Sequence, residues 1–221
     1  MSRVKWLLLS LAVIAMSGMA GQAWAIPILI INPGFEDPVL ADGARTTTTF
    51  TAGWQFTGGT VNGVWNPSAA QAYGGIAPEG QNVAYDNGQC LCSLSQELNT
   101  VLAPNTIYTL QALVSLYKGG AFSPQYKLSL LAGSTFLNTC ATCVTPLDGT
   151  FALATVTYTS GASITPGQFL KINLGTPGSG QETRWDHVTL DARAVPESSS
   201  LLLLGVGLVG LAWWRRKQHT H

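Results

Sequence analysis

The residues of this 221-residue chain best equipped for chemistry are four cysteines, a histidine beside a carboxylate, and a set of scattered acids. Cys90 and Cys92 form a C-x-C pair, and Cys140 and Cys143 a C-x-x-C pair. Four thiolates could hold zinc, but the one-residue spacing is tight for a tetrahedral site, and disulfides are expected once the chain is exported. Three pairings are open. Joining the two clusters would close a loop of roughly fifty residues, a constraint of about 4 kcal/mol in the chain-entropy model. His187, next to Asp186, is the single histidine between residues 26 and 194. No G-x-S-x-G, H-E-x-x-H or P-loop pattern accompanies it, so its expected role is structural. A glycosidase needs two carboxylates about 5 to 9.5 Å apart across a cleft, and the ten acids of this stretch are scattered. The chain is therefore read as no enzyme.

Binding needs less. Sugar recognition uses aromatic faces for the apolar side of the ring and amides or carboxylates for its hydroxyls. Trp65, Tyr73 and Tyr117 stand in Gly- or Asn-rich surroundings, with Asn62, Asn66, Gln71 and Glu79 near the first two in sequence. They are the candidate ligand-binding residues, against the plainer role of loop anchors packed on the domain. Trp54 and Trp185 are assigned to packing because strand-forming residues flank them.

The elements that must position these groups are strands. Gly, Thr, Ser, Asn and Pro punctuate residues 26–194, and no amphipathic helical period is sustained there. Tyr108, Leu110, Ala112, Val114 and Leu116 alternate onto one face, which predicts a long half-buried strand. Tyr126, Leu128, Leu130 and Ala132 repeat the pattern, suggesting a hairpin-like return. Further strands are expected over 151–158, 169–174 and 185–190, and earlier ones over 28–31, 53–56, 83–85 and 92–98. Asn62-Gly63 and Asn87-Gly88 read as turns between them. Eight or nine short strands predict an all-β, antiparallel β-sandwich of the jelly-roll kind.

Both ends differ from this domain. Residues 1–25 carry Arg3 and Lys5, an apolar run over 6–16, and small residues closing on Ala23-Trp24-Ala25. That is the order of a signal peptide, a helix cleaved after Ala25. At the other end Val195-Pro196-Glu197 and three serines precede fourteen apolar residues, then Arg215, Arg216 and Lys217. Fourteen residues span roughly 21 Å as a helix, a marginal transmembrane helix against a ~30 Å hydrocarbon layer. The basic cluster should stay cytoplasmic while the domain lies outside. This tail resembles the PEP-CTERM sorting signal. The resemblance implies recognition and cleavage near Pro196 and Glu197 by an exosortase, a membrane transpeptidase-like enzyme. It also implies transient attachment to the inner membrane and a final place at the cell surface or in the extracellular matrix. The domains expected are thus 1–25, 26–194 and 195–217.

The middle domain carries a second resemblance. Asn32-Pro33-Gly34-Phe35-Glu36, Gly53-Trp54, Leu94-Ser95-Gln96, Pro104 to Leu110, and Trp185-Asp186-His187-Val188-Thr189-Leu190 resemble, in this order, the galactose-binding-like jelly roll of many carbohydrate-binding modules. The resemblance implies a structural calcium held by Glu36 and Asp186, oxygen ligands suited to that ion. His187 stands where the family often has a second aspartate.

Without its ends the domain is about 170 residues, enough for one core. It carries six basic and ten acidic residues. A surplus of four negative charges argues against nucleic acid, whose phosphates need a basic surface. Together these features predict an exported, exosortase-sorted, non-catalytic module that binds exopolysaccharide. The alternatives are a structural matrix protein without a specific ligand or, less favoured, a glycan-active enzyme.

Overall fold

The computed structural model describes residues 24–47, 50–58, 62–69, 76–87, 91–116, 125–176 and 182–195, with 205, 207–211 and 215 of the tail. Twelve strands fall within them: β1 (Ile26–Pro27), β2 (Phe50–Thr51), β3 (Trp54–Thr57), β4 (Asn62–Trp65), β5 (Val83–Asn87), β6 (Ser93–Val101), β7 (Thr106–Leu116), β8 (Lys127–Ala132), β9 (Thr135–Ala141), β10 (Ala152–Thr159), β11 (Phe169–Gly175) and β12 (Glu182–Ala194). One sheet runs β10-β7-β12-β5-β4, with β1 beside the far end of β12, and the other runs β2-β3-β6-β11-β8-β9. The strand pairings among the described residues are antiparallel, as the sequence predicts. The compact unit is Ala25–Arg193.

Alternation builds the core. Tyr108, Leu110, Ala112, Val114 and Leu116 of β7 are all buried, as are Leu128 and Leu130 of β8, Leu170, Ile172 and Leu174 of β11, and Trp185, Val188 and Leu190 of β12. The step from Trp185 to Val188 breaks the period of two. His187 absorbs the extra residue with a φ of 47°, a bulge that returns Val188 and Leu190 to the inner face.

Three expectations change. β7 and β8 are not a hairpin: β7 pairs with β10 in one sheet, whereas β8 pairs with β11 and β9 in the other. Asn62-Gly63 opens β4 instead of forming a turn. The Thr46 carbonyl packs against Gly63 where a Cβ would sit, so this glycine serves a close backbone approach. The strand expected over 28–31 is not formed, and β1 holds only Ile26–Pro27. No helix among the described residues is long and apolar enough to cross a membrane, and most of the expected tail helix over 201–214 lies outside the described residues. The signal segment through Ala23 lies outside the described residues.

Candidate functional site

Among the described residues, two polar clusters each hold a fully buried carboxyl. The first lies at one end of the sandwich, where β4 begins, β5 and β11 end, and β12 begins. In the β4-β5-β12 register, Val64, Ala84 and Trp185 form a row in the core. The next row on the same face is Asn62, Asp86 and Thr183. By alternation these three face inward, and each is at most 1% exposed. The opposite sheet meets them. Thr176, just past β11, donates its hydroxyl to Asp86 Oδ2 at 2.8 Å, and the Asn62 side-chain amide donates to the Thr57 carbonyl at 3.2 Å. Burial pushes the Asp86 carboxyl up to about 7, with the Thr176 hydroxyl pulling the other way. A buried carboxylic acid still protonated near neutrality can donate a proton.

The second cluster ties the first loop of the domain to β12. Asp186 is fully buried, and its two oxygens accept the amides of Glu79 at 2.9 Å and His187 at 2.7 Å. Glu36 accepts the Gln81 amide at 3.1 Å and the Asn82 amide at 2.9 Å. Glu79 pairs with His187 Nδ1 at 2.6 Å in a half-exposed position. Burial is the main cause that raises Asp186 to about 7; the two amides oppose it, and the charges of Glu79 and Glu36 add to it. Gly34 leaves a space here: a Cβ on it would lie 3.2 Å from Glu79 Oε2 and 3.6 Å from Asp186 Oδ1. The motif pieces read from the sequence converge nearby. Phe35 packs on Trp54 with ring centroids 5.2 Å apart, and Gln96 exchanges two hydrogen bonds with the Ile31 backbone.

The chemistry of this second cluster suits a hard cation. The carboxylates of Glu79 and Asp186 approach Gly34, which lacks a side chain, and Glu36 lies against Gly80, next to Glu79 in the chain; carboxylate oxygens retain lone pairs beyond an amide bond. Asn82 Oδ1 in the adjoining loop is buried without a hydrogen-bond partner. No three His, Cys, Asp or Glu side chains among the described residues form a ready cage. A bound ion would draw its remaining oxygens from backbone carbonyls and water.

The other singled-out residues fall elsewhere. Trp65 is not a free stacking surface. It is 8% exposed, in a small outer cluster with Val83 and Tyr85, and the Arg184 guanidinium lies 4.3 Å from its ring centroid. Tyr73, Tyr117 and Cys90 lie outside the described residues. Cys140 is bonded to Cys143 and Cys92 is also disulfide-bonded, which removes both the zinc reading and a bridge between the two cysteine clusters through Cys140 or Cys143. The short Cys140–Cys143 loop constrains the unfolded chain by about 2 kcal/mol instead of about 4. Of the processing residues, Ala25, Val195 and Arg215 are described, and Ala23, Pro196, Glu197 and Arg216 lie outside.

Two open clefts of about 280 and 290 Å³ lie apart from both clusters' buried acids. One is lined by Ala25, Ile107, Thr109, Asp191 and Arg193, the other by residues including Asp42, Asn66, Ile76 and Gln81. The candidate active site is taken at Asp86, the fully buried carboxyl in the inward-facing row with Asn62 and Thr183. Sequence reasoning missed Asp86, Thr176 and Thr183. The available signal was parity: Asp86 shares a strand face with Ala84, Asn62 with Val64, and Thr183 with Trp185.

Fold and site define a small jelly-roll protein with an acid sealed between its sheets. A family model described as HpiC1-like, HpiC1 cyclase, matches residues 26–191. The chain belongs to that family. It is similar to the Stig cyclase Fisc from Fischerella sp. TAU, solved in complex with (3Z)-3-(1-methyl-2-pyrrolidinylidene)-3H-indole, at 32% identity, 78% coverage of this chain, 100% of that chain and a TM-score of 0.67. A cyclase from Fischerella sp. TAU in complex with 4-(1H-indol-3-yl)butan-2-one is 33% identical over 77% of this chain and 99% of that chain, with a TM-score of 0.64. A xylan-binding CBM22-1 domain from Paenibacillus barcinonensis is 16% identical over 72% of this chain and 100% of that chain, at a TM-score of 0.45. No curated protein matches the chain. The expectation that the chain is no enzyme is thereby corrected, because its family and the similar structures are cyclases. The PEP-CTERM protein-sorting motif matches residues 194–217, the mark of exosortase-sorted export with transient membrane anchoring.

Proposed function

We propose that this chain is an exported cyclase that closes a ring by acid catalysis at Asp86. The observation that carries the reading is the inward-facing, fully buried Asp86, whose carboxyl is held up to about 7. A ring closure without net redox change can begin with protonation of a π bond. The resulting cation is captured by a second carbon of the same molecule, and loss of a proton restores neutrality. One carboxyl that gives a proton and then takes one back balances this sequence, and burial suits both steps by excluding water. Asn62 and Thr183 flank the acid and supply polar groups that can orient a heteroatom. The indoles in the similar cyclases support an indole-bearing substrate. Turnover of a panel of indoles with unsaturated side chains, by wild type and Asp86→Asn, tests the reading. Ring-closed product from wild type and its loss in the variant are expected; equal turnover overturns the role of Asp86.

Glu36 and Asp186, with Glu79 beside them, are proposed to hold a structural calcium. The support is the approach of Glu79 and Asp186 to Gly34, the place of Glu36 against Gly80, and the raised pKa of Asp186. A calcium ion would supply positive charge to offset these carboxylates. Exopolysaccharide is kept as a surface partner because of the sorting motif. The cleft with Asp42, Asn66 and Gln81 offers carboxylate and amide groups to sugar hydroxyls, and a polysaccharide pull-down that is indifferent to Gln81→Ala would remove it.

A further inference from the structure

Cys92 is one hydrogen bond from Thr176, and Thr176 is one hydrogen bond from Asp86. The Thr176 amide donates to the Cys92 carbonyl at 3.0 Å, and the Thr176 hydroxyl donates to Asp86 Oδ2 at 2.8 Å. Thr176 lies just beyond the last residue of β11, so this amide bond extends the β11–β6 ladder by one step. Cys92 is itself tightly placed. It is disulfide-bonded and 2% exposed, and its sulfur lies 3.5 Å from the Gly58 carbonyl. Gly58 has a φ of 95°, and a Cβ on it would run into the Leu91 carbonyl and lie 2.9 Å from Cys92 Cα. The chain at residues 91 and 92 is thus wedged against the end of β3, with a covalent tether on Cys92.

We propose that oxidation of Cys92 seats Thr176 against Asp86, so that the acid site is assembled in an oxidising compartment and stays unassembled while the thiol is reduced. The inference rests on the reading of Asp86 as the proton donor. In the oxidation two thiols lose two protons and two electrons as their sulfurs join. A protein disulfide of the exchange type accepts them and becomes a dithiol. Export through the sorting route takes the chain from a reducing to an oxidising environment. Thr176 is then a positioning residue, acting only through Asp86. Asn62 on β4 and Thr183 on β12 flank the acid and do not titrate, and the Arg184 guanidinium is stacked on Trp65 on the other face of the strand. The Thr176 hydroxyl is a contact that favours the ionised form of Asp86.

The test uses secreted protein labelled with ¹³C at aspartate carboxyls. It is titrated as oxidised wild type, after reduction and alkylation, and as Cys92→Ser, Thr176→Val and Thr176→Ser, with Asp86→Asn to assign the signal. Thr176→Val is expected to raise the Asp86 midpoint by about half a pH unit to one unit, and Thr176→Ser to restore it. Cys92→Ser and reduction should shift it the same way, while joint replacement of Cys140 and Cys143 by serine should not. Should Cys92→Ser fail to fold, amide exchange at Thr176 in wild type is followed across a thiol–disulfide redox titration, with at least about tenfold faster exchange expected on reduction. A midpoint indifferent to Thr176→Val, or a midpoint or exchange rate indifferent to the state of Cys92, overturns the proposal. Full turnover by Asp86→Asn with the shifts intact would instead overturn the catalytic reading and leave the coupling standing.

Discussion

Thr176 Oγ1 lies 2.8 Å from Asp86 Oδ2 and joins the two sheets across one end of the sandwich. Asp86 pairs in register with Asn62 on one side and Thr183 on the other. The polar row continues the apolar row formed by Val64, Ala84 and Trp185. A sandwich normally fills such positions with hydrocarbon, and here they hold an acid, an amide and a hydroxyl.

Asp86→Asn should separate stability from activity. The folded carboxyl keeps its proton up to about 7, whereas an unfolded aspartate loses it near ~3.9. Its neutral form therefore favours the fold fully below ~3.9, and that contribution is lost as pH rises through about 7. At pH 8 the variant should be more stable than wild type, by an amount on the order of 2–4 kcal/mol, and about 100-fold or more slower in turnover. Urea melts at pH 5 and pH 8 check the first part: a gain clearly larger at pH 8 than at pH 5 is expected.

Calcium should stabilise the protein most where Asp186 would otherwise be charged. With the carboxyl at about 7 without a cation, protons compete with the ion at low pH. Raising free calcium to about 100 times its dissociation constant should add about 2.7 kcal/mol. The increase in Tm should be larger at pH 8 than at pH 5, and chelation at pH 8 should reverse it. A Tm indifferent to chelation would remove the metal.

Trp65→Ala should act on folding. Its ring packs in a small cluster and beneath Arg184, so truncation should cost about 3 kcal/mol or more. Denaturant midpoints measure this. Affinity for polysaccharide should be unchanged in the fraction that remains folded.

Replacing Cys140 and Cys143 together with serine should cost about 2 kcal/mol, as a short loop requires. Peptide mapping under non-reducing conditions should recover the two cysteines in one bridge.

The fold was legible wherever strict alternation met a sheet with one solvated face, as in Tyr108 to Leu116. β4 was not legible, because Asn62-Gly63 has the composition of a turn and serves as a strand only through packing on Thr46. The pairing of β8 depends on contacts with β11, far along the chain, and adjacency in sequence misdirected it to β7. Glu36 and Asp186 were legible because short motifs mark them, while their companion Glu79 joins through tertiary contact. The acid site was the least visible. Asp86, Thr176 and Thr183 come from three strands or strand ends, carry no motif, and acquire meaning only when the sheets bring them together. For that reason the absence of a familiar catalytic pattern led to the reading of no enzyme, which the cyclase family corrects.

The most direct test of the acid site is an NMR titration of the protein with 4-(1H-indol-3-yl)butan-2-one, the ligand of a similar cyclase. Saturable shifts at Asn62, Asp86, Thr176 and Thr183, altered by Asp86→Asn, are the predicted result. Shifts confined to the outer clefts or to the Glu36–Asp186 cluster, or no shift at these four residues at millimolar ligand, would contradict it.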